Sequence, residues 1–182
     1  MSESTDKISA PEHLKQEHQV PAFNSGVPAL DDWLRKRALA NEESGASRTY
    51  VVTAGGRVVG YYALANGAVA AQAATGRMRR NMPDPIPVMV LGRLAVDKAY
   101  QKRGLGIALL RDAVLRTLQA ADIGGIRAIL LHATSDDAKR FYERCGFSES
   151  PVDPMTLMVG IADVQRILKG SKRSFRRPAL YA

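Results

Sequence analysis

The chain switches between two hydrophobic periods. Arg48 to Thr53 and Arg57 to Ala65 are rich in β-branched and aromatic residues and flank Ala54-Gly55-Gly56, a pattern that predicts a hairpin. Apolar runs at Val88 to Val96, Ala128 to Ala133 and Met155 to Val159 read as further strands, and Ile8 to Leu14, punctuated by Pro11, as a first one. Elsewhere the repeat is three or four. Leu30, Trp33, Leu34, Arg37 and Ala38 predict one helix from Pro28 to about Asn41, with proline suited to its start. Ile107, Leu110, Val114, Leu118 and Ala121 predict a long helix with one apolar face. A third helix follows Ser135, a good N-cap, with Asp136 and Asp137 in its first turn and Gly146 as a left-handed stop, Phe147 folding back behind it. Asp163 to Leu168 reads as a short helix capped by Asp163.

Strand and helix alternate after a hairpin, which implies an α/β fold: a mixed sheet with helices on both faces. The 182 residues suffice for one well-buried domain, residues 1–168, followed by a basic tail, residues 169–182. Asn66 to Ala74 either extends a strand or starts a loop. Gly76 to Pro87 carries three arginines and three prolines, and prolines at that density predict no regular element.

The chemistry gathers around two segments. Leu91-Gly-Arg-Leu-Ala-Val96 leads into Gln101-Lys-Arg-Gly-Leu-Gly106, a glycine turn that opens the long helix. Backbone N–H groups at such a turn lack intrahelical partners and lie at the positive end of the helix dipole, where an anion fits. Lys102 and Arg103 add two cations. The run is not a P-loop, because no Gly-Lys-Ser/Thr follows four residues after a glycine. Nor is it a dinucleotide fingerprint, because Leu109 stands where the third glycine belongs and too many residues separate Val96 from Gly104. On its own the turn could equally be a tight strand–helix connection.

Gln101-x-x-Gly104-x-Gly106 resembles the coenzyme A pyrophosphate loop of the GNAT acetyltransferases, and Ala138-x-x-Phe141-Tyr142-x-x-x-Gly146-Phe147 resembles that family's last motif. The resemblance implies a GNAT fold with strands four and five splayed apart, acetyl-CoA as cofactor, and the pantetheine arm lying in the gap. It implies cofactor contacts from Leu94, Ala95 and Val96 on strand four, from Gln101, Lys102, Arg103, Gly104, Leu105 and Gly106 in the loop, and from Ser135 and Ala138. Tyr142 is then the acid that gives its proton to the departing thiolate; the alternative is a half-buried core tyrosine whose hydroxyl reaches water.

Pro28-Ala-Leu-Asp-Asp-Trp-Leu34, Ser47-Arg-Thr-Tyr-Val51, Val59-Gly-Tyr-Tyr-Ala-Leu64 and Leu91 to Val96 extend the resemblance to the GNAT toxins of toxin–antitoxin pairs. That branch implies acetylation of the amino acid on a charged tRNA, a block on translation, a ribbon-helix-helix antitoxin and a homodimer. An α-amine, with a pKa near ~7.7 to 8.0, is partly neutral without help, whereas a lysine near ~10.4 needs a base. From Met89 to Val96 there is no carboxylate until Asp97, which suits an α-amine and leaves water to carry the proton away. Arg93 could hold a tRNA phosphate or terminal sugar, or pair with a carboxylate on the neighbouring strand. Arg77, Arg79 and Arg80 place the proline-rich segment either in plain solvent or against the tRNA.

The formal charge is +8 and it is clustered, at Arg35-Lys-Arg37, at Arg77 to Arg80 and in the tail, which favours a phosphate backbone partner and disfavours cationic substrates. Cys145 is the only cysteine and the three histidines are dispersed, so no metal site is expected. A polar start without an apolar leader, and no membrane-length apolar run, point to a cytoplasmic protein without membrane contact. Two rival readings share these features: an acetyltransferase of a protein N-terminus or small amine, and a non-catalytic RNA- or partner-binding module.

Overall fold

The computed structural model describes residues 7–170. Its strands are β1 (Glu12–His13), β2 (Arg48–Ala54), β3 (Arg57–Val69), β4 (Ile86–Val96), β5 (Ala128–His132), β6 (Ser148–Glu149) and β7 (Thr156–Gly160). Its helices are α1 (Pro28–Lys36), α2 (Ala38–Ser44), α3 (Gly76–Arg79), α4 (Leu105–Gly124), α5 (Asp136–Arg144) and α6 (Ile161–Gly170). Hydrogen bonding orders the strands β1-β2-β3-β4-β5-β7-β6, with β4 and β5 parallel and the β1–β2, β2–β3, β5–β7 and β6–β7 pairs antiparallel. The mixed sheet is the one the alternation of periods implies. The chain forms two compact units. Among the described residues one comprises the chain up to Leu64 and Arg93–Ala113, and the other comprises Ala65–Gly92 and the chain from Val114 onward.

In the first unit the β2–β3 hairpin turns at Gly55 and Gly56, both at positive φ. Adjacent β3 residues face opposite helices. Tyr61 stacks on Trp33 of α1, whereas the Tyr62 hydroxyl bonds Asp112 of α4. A Cβ on Gly60 would stand 3.0 Å from Leu109 of α4, so glycine lets that helix lie close. Leu14, Phe23, Leu34, Val51, Val58, Tyr61 and Ala95 close the core on the α1 side. Burial of this kind is the main stabilising term, about 1.5–3 kcal/mol for a fully covered large apolar side chain.

In the second unit Ala74, Met78, Ile86, Val88, Ala128, Leu130 and Met158 pack together. The parallel ladder pairs Val88, Met89 and Val90 with Ala128, Ile129 and Leu130; β5 continues through Leu131 and His132, which among the described residues pair with β7 alone.

Several local expectations need correction. The single helix from Pro28 breaks at Arg37, whose φ of −125° is not helical, so α1 and α2 are separate. The first strand shortens to Glu12–His13, with one isolated bridge from Ile8 to Ala54. Asn66 to Val69 extends β3 and a 3-10 turn at Ala71–Ala73 follows. Gly76–Arg79 does form a helical turn, because Pro83, Pro85 and Pro87 all come later, and Pro87 sits in β4 near its start, where the missing N–H is tolerated. The buried face of α4 runs through Leu105, Ala108, Leu109, Ala113 and Thr117 as well as Leu110 and Val114, while Ile107 is exposed. Asp112 of the same helix accepts the Tyr62 hydroxyl of β3. Asp163 lies inside the first turn of α6, two residues after its start, and is not its cap. Helix α6 runs to Gly170; the tail beyond it, residues 171–182, lies outside the described residues.

Candidate active site

Strand β4 ends at Val96 and Asp97 caps a 3-10 turn, Lys98–Tyr100. Asp97 is buried, and both of its oxygens are taken: one accepts the Ala99 N–H and the other the Asn24 N–H, each at 3.0 Å. The one carboxylate close behind strand four is therefore a structural anchor. Gln101 follows. Its side-chain amide donates to the carbonyls of Ser25 and Val96, both at 2.8 Å, and its backbone N–H donates to Lys98. Neither of its donors is left for a cofactor. These bonds fasten the start of the loop to the end of β4 and to Ser25.

Beyond it the backbone opens. Lys102 has φ +62° and Gly104 φ +81°, so left-handed residues alternate with ordinary ones, and such a turn gathers successive N–H groups into a concave nest for an anion. The first helical bond runs from Ala108 N–H to the Gly104 carbonyl, and the amides of Lys102, Arg103, Gly104, Leu105, Gly106 and Ile107 have no partner among the described residues. The side chains at Lys102 and Arg103 are exposed, and nothing lies within 4 Å of a Cβ on Gly104. The Arg103 guanidinium lies 5.3 Å from the ring centre of Tyr100, which Arg57 also approaches, at 6.0 Å.

Leu94 and Arg93 are half-buried on β4, and Ala95 and Val96 are buried. Arg93 pairs with no carboxylate among the described residues. Its guanidinium lies over the indole of Trp33, 4.4 Å from the ring centre. The separation of about sixty positions between these two residues hides the contact from any local pattern.

In the second unit Ser135 caps α5 by accepting the Ala138 N–H at 3.1 Å. This cap occupies the Ala138 amide and a lone pair of Ser135, leaving the serine O–H as the donor of the pair. The end of α5 is a double-bonded stop: Gly146 N–H to Glu143 and Phe147 N–H to Tyr142, with Gly146 at φ +102°. Tyr142 is held between the rings of Phe141 and Phe147, at 5.1 and 5.7 Å. Burial, with a smaller contribution from Cys145, raises its pKa well above the ordinary tyrosine value, so the phenol is protonated at neutral pH. Its hydroxyl makes no hydrogen bond among the described residues, yet the only sealed and unpaired side-chain oxygens there are Ser47 Oγ and Thr49 Oγ1. Tyr142 itself is buried, and its hydroxyl oxygen is not among those sealed atoms.

Arg77 is bound to Asp163 at 2.9 Å beside a cavity of about 450 Å³, whereas Arg79 and Arg80 are exposed and without an ion pair among the described residues. No cluster of metal-ligating side chains and no helix long and apolar enough to cross a membrane occurs among the described residues.

The model of the acetyltransferase (GNAT) domain family matches residues 45–149, which hold both motifs. The chain belongs to the GNAT acetyltransferases. A relative named tRNA-acetylating toxin, from Mycobacterium tuberculosis (strain ATCC 25618 / H37Rv), is 54% identical to this GNAT chain over 160 residues, covering 88% of it and 96% of that protein. A mutant of KacT shares the GNAT fold at a TM-score of 0.83 and 22% identity, covering 88% of this chain and 99% of that one. So does AtaT complexed with acetyl-methionyl-tRNAfMet, at a TM-score of 0.82, 22% identity and the same coverage.

Proposed function

We propose that this GNAT acetyltransferase transfers the acetyl group of acetyl-CoA to the α-amino group of an aminoacyl-tRNA and so stops translation. The observation that carries the reading is the run of unpartnered amides from Lys102 to Ile107, set in a chain 54% identical to a tRNA-acetylating toxin.

Acetyl-CoA supplies an acetyl group activated as a thioester. The donor set fits it: a nest of free N–H groups at the start of a 20-residue helix suits a diphosphate, with Lys102 and Arg103 beside it. Gln101 keeps that nest in register with the end of β4. Backbone N–H groups of Leu94 and Val96 serve the thioester oxygen and the pantetheine. The neutral α-amine attacks the acyl carbon, the C–S bond breaks, and Tyr142 Oη gives its proton to the leaving sulfur. The proton lost by the amine passes to water, since Asp97 is committed to backbone amides. Arg79 and Arg80, without a carboxylate partner among the described residues, meet tRNA phosphates. Arg77 joins them only by leaving Asp163.

The same reading carries a cytoplasmic homodimer and a ribbon-helix-helix antitoxin partner. The test is mass spectrometry of charged tRNA after incubation with isotope-labelled acetyl-CoA. Label is expected on the aminoacyl α-nitrogen. Label found instead on protein N-termini or on a small amine, with none on tRNA, overturns the proposal.

A further inference from the structure

Four residues of the first unit form one ladder. Phe23 meets Tyr61 edge-on, ring centres 5.6 Å apart and planes at 70°; Tyr61 stacks on Trp33 at 5.9 Å and 12°; and Arg93 caps Trp33 at 4.4 Å. The ladder is anchored at its inner end. Phe23 and Tyr61 are fully buried, and the Tyr61 hydroxyl donates to the Leu30 carbonyl of α1 at 2.7 Å. Its outer end is the guanidinium of Arg93, a half-buried residue with no ion pair among the described residues. An arginine is costly to hold in one place, since it gives up several rotatable bonds. Here no carboxylate repays that, only a ring.

We infer that Arg93, held over Trp33, is a stacking platform for the terminal base of the acceptor substrate, with Trp33 as its positioning residue. This deepens the aminoacyl-tRNA reading and rests on it. A planar guanidinium fixed over one ring has its other side available to a second flat π-system, and unpaired bases are bound in this way by Arg planes and aromatic rings. The location suits the nucleoside that bears the ester. Arg93 immediately precedes Leu94, and a strand advances about 3.3 Å per residue, so an extended arginine reaches ground next to the backbone assigned to the thioester. A phosphate requires only charge at this position; a base requires the plane.

The choice between plane and charge decides the experiment. Arg93→Lys keeps the charge and loses the plane, and Trp33→Leu removes the ring that fixes it. Steady-state kinetics on aminoacyl-tRNA should show KM for the tRNA raised about 5- to 150-fold by Arg93→Lys, the range for loss of one base stack. The KM for acetyl-CoA and kcat at saturating tRNA should stay unchanged. Trp33→Leu should produce a rise of similar size, Trp33→Phe should restore most of the affinity, and the double variant should lose no more than either single. Arg93→Ala should leave the slope of log KM against log salt unchanged. A normal KM in Arg93→Lys, a salt slope reduced by about one in Arg93→Ala, or a parallel rise in the KM for acetyl-CoA each overturns the inference while leaving tRNA acetylation standing. Failure of the unaltered chain to acetylate any aminoacyl-tRNA overturns both. Should Trp33→Leu not fold, the three remaining single variants still decide the matter.

Discussion

The backbone N–H of Phe147 bonds the Tyr142 carbonyl at 3.1 Å while the two rings meet edge-on at 5.7 Å, so the stop that ends α5 also clamps the tyrosine. The clamp makes no use of the hydroxyl, which has no hydrogen-bond partner among the described residues. Tyr142→Phe removes one oxygen from an otherwise unchanged packing arrangement. It should lower kcat by about a hundred- to ten-thousand-fold, the usual contribution of a positioned proton donor, with the KM for acetyl-CoA and the melting temperature preserved. A phenylalanine variant turning over at the full rate would remove Tyr142 from the chemistry.

The state of that phenol is open to direct measurement. Tyr142 and Tyr61 are both raised, chiefly by burial, and Arg93 offsets part of the effect at Tyr61. An unfolded tyrosine ionises near ~10. Between that value and the higher folded values the folded chain holds protons that the unfolded chain has released. The stability from these two groups is therefore complete below about pH 10 and declines as the pH climbs beyond it. In an absorbance titration of tyrosinate, Tyr61→Phe and Tyr142→Phe should not change the signal gained before unfolding. A smaller signal in either variant would mean that the group ionises in the folded protein.

Gln101 acts through the loop it holds. Two side-chain hydrogen bonds, each contributing about 0.5–1.5 kcal/mol net, vanish in Gln101→Ala. Titration calorimetry should find acetyl-CoA binding weakened by about 5- to 150-fold, with kcat at saturation near normal. Gln101→Glu should do no better, because a carboxylate cannot donate to the Ser25 and Val96 carbonyls. Equal affinity in the alanine variant would dissociate the side chain from loop placement.

Asp97→Asn probes the absence of a carboxylate base. The amide retains one acceptor for two buried backbone donors, so stability should fall by about 1–3 kcal/mol in chemical denaturation. The pH–rate profile should keep its shape. A profile that flattens or shifts in this variant would mark Asp97 as the proton acceptor.

Much of the local structure around the glycine loop and α5 was legible because it is set by near neighbours in the chain. The helix start at Leu105, the cap at Ser135 and the stop at Gly146 depend on residues within a few positions of one another, and their glycines and capping side chains announce them. What escaped depends on distance. Nothing near Arg93 announces Trp33, and nothing near Gln101 announces Ser25, whose carbonyl it holds across 76 positions. Arg37 continues the apolar spacing of α1 and so conceals the break. Nothing near Asp112 on α4 announces Tyr62, whose hydroxyl it accepts from 50 positions away. The short β6 is too brief for any period to show.

The ladder between β4 and β5 halts after Val90 and Leu130, and what it leaves behind is main chain rather than side chain. On the proposed reading the pantetheine arm, itself built of amides, is recognised there as if it were another strand. Such recognition places little demand on residue identity: Leu131 could become isoleucine or valine and the same N–H and C=O groups would still be offered. Positions along this edge are then free to drift between relatives without loss of the donor, so even a perfect catalogue of invariant side chains would overlook part of what binds it.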